Sequence, residues 1–370
     1  MSQWPGLGDV KEDIQTPSLL LYEEILEENM QSYFRFARDR GVSLRPHVKS
    51  HRIPELAQKQ VKQAESGIMV QKLSLAETMV RHGLDDIVIV CPVVTQSKLD
   101  RLMWLAEQAT ISIVVDGYEN TQALEEATEG HNQDINALIE VNVGADRTGS
   151  EPGQETAELG EYINSTELIK FSGVLAYDNH ILYESSSQEE FCAMADEVLS
   201  KLKSTVDEIK RRDIEVPNVL AGTSGTSRQM CKESVVTEIN PGRYLLNDAS
   251  FIKHIDRVQK EDCAARILTT VISKPTSERV IIDAGAKTFS WMHHDQPVCV
   301  NDEELEYVDF SSEHGIIDTS DAQIDPCVGD QLEFIVGNID ATINLHSQAI
   351  GIRDGVVSSV WSIPTEGQCR

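Results

Sequence analysis

"DDIVIVCPVVTQSKLDRLMWLAEQATISIVVDGYENTQALEEATEGHNQDINALIEVNVG", residues 85–144, sets two amphipathic stretches between three short β-branched runs. The runs 85–93, 110–116 and 135–144 lack clean alternation, as expected of parallel strands buried on both faces. The stretches 97–109 and 119–129 carry helical spacing. The same rhythm extends outward. Upstream come "SLLLY" (18–22), a helical 24–40, "GVSLRPHV" (41–48), a helical 54–64, "GIMVQ" (67–71) and a helical "LAETMVRHG" (75–83). Downstream, helical stretches at 154–164, 188–212 and 229–234 lead to "LIKFSGVLAY", "VPNVLAG" and "VTEINPGRYLL". Strand and helix recur roughly every 20 to 40 residues, about eight times, which is the arithmetic of a (β/α)8 barrel over residues 16–250.

After residue 250 the rhythm changes. "ARILTTVISKP", "RVIIDAGAK", "GDQLEFIVG" and "ATINLHSQAIGIRDGVV" are strand-like pieces divided by Gly, Pro and Asp turns. They predict a smaller antiparallel β domain over 251–370, with residues 1–15 packed on it.

Among the 370 residues, 61 are acidic and 32 basic, giving a formal net charge of −29. Such a surface repels phosphodiesters and anionic lipid, so nucleic-acid and membrane partners are not expected. No window approaches the roughly 18 apolar residues of a membrane span, and the opening "MSQWPGLGDVKEDIQ" lacks a signal pattern. Seven scattered cysteines without CxxC or Cys/His zinc spacing suit reduced thiols, so the expected location is cytoplasmic.

A barrel places its working groups at the C-terminal ends of its strands. Those ends hold Lys49 in "RPHVKSH", Arg147 in "VNVGADRTG", Tyr177 in "LAYDNH", the "AGTSGTS" turn at 221–227, and "NPGRY" at 240–244. Glycine with Ser and Thr in a strand-to-helix turn exposes N–H groups and hydroxyls, which is how phosphate is cradled. A buried lysine beside such a turn can lose its proton and form a Schiff base with a carbonyl. Together they suggest pyridoxal phosphate, whose ring stores the electrons of a substrate carbanion.

"RPHVKSH", "RTG", "AGTSGT", "EINPGRYLLND", "VIIDAGAK" and "SSEHG" resemble, in order and spacing across nearly the whole chain, the D-threonine aldolase and D-serine dehydratase family. Its members are fold-type III pyridoxal-phosphate enzymes with an alanine-racemase-like barrel. The resemblance implies that Lys49 is the Schiff-base lysine and the base for the α-proton. It also implies that Ser224, Gly225 and Thr226 hold the phosphate, helped by Gly242 and Arg243. Tyr177 would lie against the cofactor, and Arg147 near its ring. Asn240 would meet the pyridine nitrogen, where a neutral amide makes a weaker electron sink than a glutamate. His47 and His51 flank Lys49 at period-two spacing, so either they line the site or they are structural. A small amino-acid substrate and a homodimer follow from the same resemblance.

The family carries a metal pair, His-x-Asp or His-x-Cys, whose ion binds the substrate's β-hydroxyl. Here "FIVGNIDATINL" puts Asn338 where the histidine belongs and Asp340 in the acidic place. Three expectations stay open. A harder divalent ion such as manganese, magnesium or calcium, for which an asparagine oxygen is an acceptable ligand (it is a poor one for zinc), binds Asn338 and Asp340 with water; or His346, His293, His294 or His314 supplies the missing ligand; or the protein works without metal.

The leading expectation is a pyridoxal-phosphate lyase on a β-hydroxy D-amino acid. It would yield glycine and an aldehyde by cleavage, or ammonia and a keto acid by dehydration. The alternative is a metal-free amino-acid racemase, with Tyr307 the candidate second base. A non-catalytic carrier, or a barrel for another phosphate ligand, are the remaining classes.

Overall fold

The computed structural model describes residues 5–131, 133–290 and 295–364. The chain forms two compact units. One spans Phe34–Lys49 and Leu56–Gly242; the other takes the N-terminal residues through Tyr33, then Ser50–Glu55, and the chain from Arg243 onward.

Among the described residues, seventeen strands are numbered in chain order. In the unit spanning Phe34–Lys49 and Leu56–Gly242, β2 (Ser43–Leu44), β3 (Ile68–Val70), β4 (Asp86–Ile89), β5 (Thr110–Val115), β6 (Ile135–Val141), β7 (Ile169–Ala176), β8 (Asn218–Leu220) and β9 (Glu238–Ile239) form one eight-stranded sheet. Its order is β2-β9-β8-β7-β6-β5-β4-β3, and every pairing is parallel. A parallel bridge between His47 and Met69 joins the two ends, completing a ring of strands. Met69, Val88, Val114, Leu138, Leu175 and Leu220, one from each of β3 to β8, pack as one buried cluster. A barrel interior is filled this way by side chains, not left as a pore.

The connecting helices follow their local chemistry. Pro54 opens Pro54–Ala64 at the position where a missing N–H costs nothing. Gln188–Lys210 starts on Ser187, whose hydroxyl accepts the Glu190 N–H, and ends on Lys210, matching the helix dipole at both ends.

The second unit is a nine-stranded sheet made of β1 (Ser18–Tyr22), β10 (Ala265–Thr276), β11 (Arg279–Ile282), β12 (Val298–Cys299), β13 (Glu306–Phe310), β14 (Gly315–Asp318), β15 (Gln331–Ile335), β16 (Gln348–Arg353) and β17 (Val356–Ser362). Its order is β11-β14-β13-β12-β15-β10-β1-β16-β17, and β11 also pairs with β10, closing six strands on themselves. Phe289, Tyr307 and Phe334 meet edge-on in its core, with ring centroids 5.4–6.1 Å apart.

"SLLLY", read from sequence with the barrel, is corrected by the sheet order. β1 lies antiparallel to β10 and parallel to β16, and Leu19, Leu20 and Leu21 are buried. A short apolar run covered on both faces reads the same in either setting, so its pattern could not place it. With it removed, the remaining runs supply the eight barrel strands. No helix among the described residues is long and apolar enough to cross a membrane.

Candidate active site

Lys49 sits in a single 3-10 turn, Val48–Ser50, just beyond β2. The approach is rigid: the His47 N–H donates to the Pro241 carbonyl at 2.9 Å, the Pro46 carbonyl accepts the Met69 N–H, and Val48 is fully buried. Lys49 itself is half-buried. The turn breaks the period-two expectation for the flanking histidines, because residues two apart on a 3-10 helix point about 240° apart. His51 is accordingly fully buried, and its Nδ1 accepts the Ile53 N–H at 3.1 Å. Burial and this bond favour the structural of the two readings for it. His47 stays half-buried beside the lysine turn.

The 221–227 turn is built to expose backbone. Gly222 adopts φ +102°, a conformation open to glycine. The Thr223 N–H donates to Thr226 Oγ1 at 2.9 Å, and Thr223 Oγ1 donates to Asn179 Oδ1 at 3.0 Å. Ser224 Oγ accepts the Gly242 N–H at 3.0 Å, tying the two glycine turns together. At the crest, the buried Gly225 N–H donates to no group among the described residues. A Cβ on Gly225 would lie 3.0 Å from Leu182 Cδ2. A buried N–H without a partner is rare in a folded chain and marks a place for an external acceptor.

Asp178, beneath this turn, escaped the sequence reading although it follows Tyr177. It is fully buried, accepts the Thr223 N–H at 3.4 Å, and is bonded by the Thr226 hydroxyl. Burial pushes its carboxyl up from 3.8 to about 6, against those hydrogen bonds. A raised acid pKa means that the fold favours the protonated form. That stability is complete below about pH 4 and is lost as pH rises through about 6, by about 3 kcal/mol in all. Asp178→Asn does not titrate. Its stability relative to the parent, from urea melts at pH 4 and pH 7.5, should therefore rise with pH by about that amount. A flat difference would contradict the assignment.

Arg147 and Tyr177 are brought together: the guanidinium carbon lies 4.3 Å over the ring centroid. Arg147 also reaches Glu140 at 3.4 Å. Burial raises the Glu140 carboxyl, opposed by the Thr148 hydroxyl at 2.8 Å and by Arg147. Asn240 Nδ2 donates to Glu238 Oε1 at 3.2 Å, and the same oxygen accepts Arg45 Nε at 3.0 Å. A carboxylate only accepts, so the amide nitrogen is fixed toward it and Asn240 offers its oxygen elsewhere.

Lys49, His47, Arg147, Tyr177, Ser224, Gly225, Thr226, Asn240 and Gly242 thus all belong to the barrel unit. Their donor set fits pyridoxal phosphate: an orphaned N–H in a glycine turn, a lysine, an arginine stacked on a tyrosine, and an amide oxygen.

Arg243, Asn338 and Asp340 belong to the other unit. The Arg243 guanidinium is held by Asp340 through Nε at 3.2 Å and by Asp248 through Nη1 at 3.5 Å. A phosphate could use it only by displacing a carboxylate. Asp340 Oδ1 also accepts the Ser50 hydroxyl at 2.6 Å. Asn338 Oδ1 caps the turn Ile339–Thr342 by accepting the Ala341 N–H at 3.3 Å. As ligands for a divalent ion, Asn338 and Asp340 do not fit, because both donor groups are committed and a guanidinium already neutralises the aspartate. Of the substitute histidines, His346 Nε2 bonds the Thr288 carbonyl at 3.0 Å and His314 Nδ1 meets Ser311 Oγ at 3.2 Å, each through one ring nitrogen. His293 and His294 lie outside the described residues.

Comparison with known proteins gives the family. The family model for the alanine racemase N-terminal domain matches residues 23–249, and a serine dehydratase domain model matches 264–352. A D-threonine aldolase of Arthrobacter sp is 30% identical over 98% of this chain and 96% of its own length. A 3-hydroxy-D-aspartate aldolase of Paracoccus denitrificans is 28% identical, over 98% of this chain and 95% of its own. The solved D-threonine aldolase of Filomicrobium marinum has a TM-score of 0.94 at 28% identity, covering all of both chains.

Fold and site define the class: a pyridoxal-phosphate enzyme of the alanine-racemase-like barrel type. Within it, the chain belongs to the D-threonine aldolase and D-serine dehydratase family of lyases.

Proposed function

We propose that the protein is a pyridoxal-phosphate-dependent lyase that acts on a β-hydroxy D-amino acid. The carrying observation is the orphaned Gly225 N–H in a braced turn of the same unit that presents Lys49. When bound, the cofactor supplies the electron sink that makes a substrate's α-carbon acidic. The rest falls to this chain. The turn of Ser224, Gly225 and Thr226 holds the phosphate, with Gly242 behind it. Arg147 and Tyr177 orient the ring, and Asn240 gives the pyridine nitrogen a neutral acceptor. Lys49 would hold the cofactor's aldehyde through Nζ, and its amine would carry the proton at the substrate's Cα. His47 lines the site next to it.

Between the two lyase outcomes, aldol cleavage to glycine and an aldehyde is the better supported. Two aldolases match at 28–30% over almost the whole chain, whereas a D-serine dehydratase of Dictyostelium discoideum matches at 22% over 80% of it. A homodimer and a reducing, cytoplasmic setting complete the proposal; the six described cysteines are free thiols, which supports the latter. Borohydride reduction of the loaded protein followed by peptide mass mapping tests the reading. A pyridoxyl mass on the Lys49 peptide is expected, and its absence would overturn the assignment.

The racemase alternative needs a second base, and Tyr307 does not provide one. It is 2% exposed, donates its hydroxyl to the Ala284 carbonyl at 2.9 Å, and burial raises its pKa. The candidate was an apolar-core tyrosine, indistinguishable in sequence from an active one. Tyr307→Phe should lower stability by about 1–2 kcal/mol through the orphaned carbonyl, with kcat unchanged within about twofold. A collapse of kcat with full stability would restore it as a base.

A further inference from the structure

The "NID" stretch at 338–340, which aligns with the metal pair of the family, holds a cation of another kind. Arg243 reaches Asp340 through Nε at 3.2 Å and Asp248 through Nη1 at 3.5 Å, and Phe251 lies 4.9 Å from its guanidinium carbon. Each partner is itself fixed. Asp248 is fully buried and accepts the N–H groups of Phe251 and Ile339, both at 3.0 Å. Asp340 accepts the hydroxyl of Ser50, the residue after Lys49. Arg243 follows Gly242 directly, so both covalent neighbours of this cluster are residues assigned to the cofactor site.

Asn338 completes the argument. It is fully buried, its oxygen is spent on capping Ile339–Thr342, and its Nδ2 has no hydrogen-bond partner among the described residues. To ligate an ion, the oxygen would have to abandon the cap, and the ion would have to share Asp340 with a guanidinium of like charge. Loss of an imidazole at 338 and a buried arginine on the aspartate at 340 are therefore complementary changes. Either alone would leave a defective site: an ion with too few ligands, or a guanidinium competing with an ion.

We propose that the Arg243 guanidinium, clasped by Asp248 and Asp340, occupies the place of the divalent ion, so that residues 338–340 hold no metal. The inference rests on the lyase reading only for the rate measurement; ion content is read without turnover.

The test uses the pyridoxal-phosphate-loaded protein and its Arg243→Gln and Arg243→Gln/Asn338→His variants. Bound manganese and zinc are measured by equilibrium dialysis and elemental analysis, and rates on D-threonine are taken with EDTA and with each ion. The parent should bind no stoichiometric ion, show no rise in melting temperature with either, and keep its rate in EDTA within about twofold. Arg243→Gln should also hold no ion, since Asn338 still spends its oxygen on its cap. The double variant, with the guanidinium gone and an imidazole at 338, should acquire ion binding. One equivalent of manganese or zinc bound to the parent, or loss of its rate in EDTA, would overturn the proposal. So would a double variant that melts like the parent and still binds no ion. A loaded parent that turns over no β-hydroxy D-amino acid under any condition would instead overturn the lyase reading, leaving the ion measurement to stand alone.

Discussion

Lys49→Ala is expected to lose the visible cofactor band and to lower turnover by about 10⁴-fold or more. The general-base contribution alone is worth roughly 10²–10⁴, and the amine that bonds the aldehyde is removed with it. The fold should survive. Val48 and Ser50 supply the buried side chains of this 3-10 turn, while the backbone of the preceding His47 is pinned by Pro241 and bridged to Met69. Circular dichroism and the melting temperature of the cofactor-free protein check that. Small primary amines added to the variant should restore part of the rate, since they supply the missing nitrogen without its tether. Turnover near the parent level would mean that Lys49 carries no chemistry.

The second large effect is expected at Gly225. A Cβ there already falls 3.0 Å from Leu182 Cδ2, so Gly225→Val must shift the crest of the turn and with it the Gly225 N–H, which has no acceptor among the described residues. Losing a charge-assisted hydrogen bond and its alignment costs about 3 kcal/mol, which is roughly a hundredfold in cofactor affinity. Equilibrium dialysis of pyridoxal phosphate reads this directly. The cofactor-free variant should melt close to the parent, because the bonds that brace the turn run through Thr223, Thr226, Asn179 and Asp178 and avoid residue 225. Unchanged affinity would remove the turn from the phosphate site.

Most of this site was legible along the chain because it follows strand ends. Parallel strands buried on both faces leave continuous β-branched runs, and the residues just beyond them are the ones that a barrel presents. Lys49, Tyr177 and the two glycine turns could be found that way. What failed to show depends on contacts between distant residues. "SLLLY" has the composition of a barrel strand, and only its pairing with β10 and β16 places it elsewhere. His51 looked equivalent to His47 until the turn at 48–50 rotated them apart. Asp178 is one polar residue after an apolar strand, and its burial under the glycine turn comes from a segment 45 residues away. The pairing of Arg243 with Asp340 joins residues 97 apart, so the arginine reads locally as a phosphate ligand and the aspartate as a metal ligand. The Arg45–Glu238–Asn240 chain is equally invisible, although it decides which atom Asn240 offers.

The most direct test is chiral product analysis of the loaded protein with D-threonine, D-serine and their L-enantiomers. The account predicts that D-threonine is consumed to glycine and acetaldehyde while L-threonine is untouched. Recovery of the inverted amino acid, with neither glycine nor a keto acid formed, would contradict it.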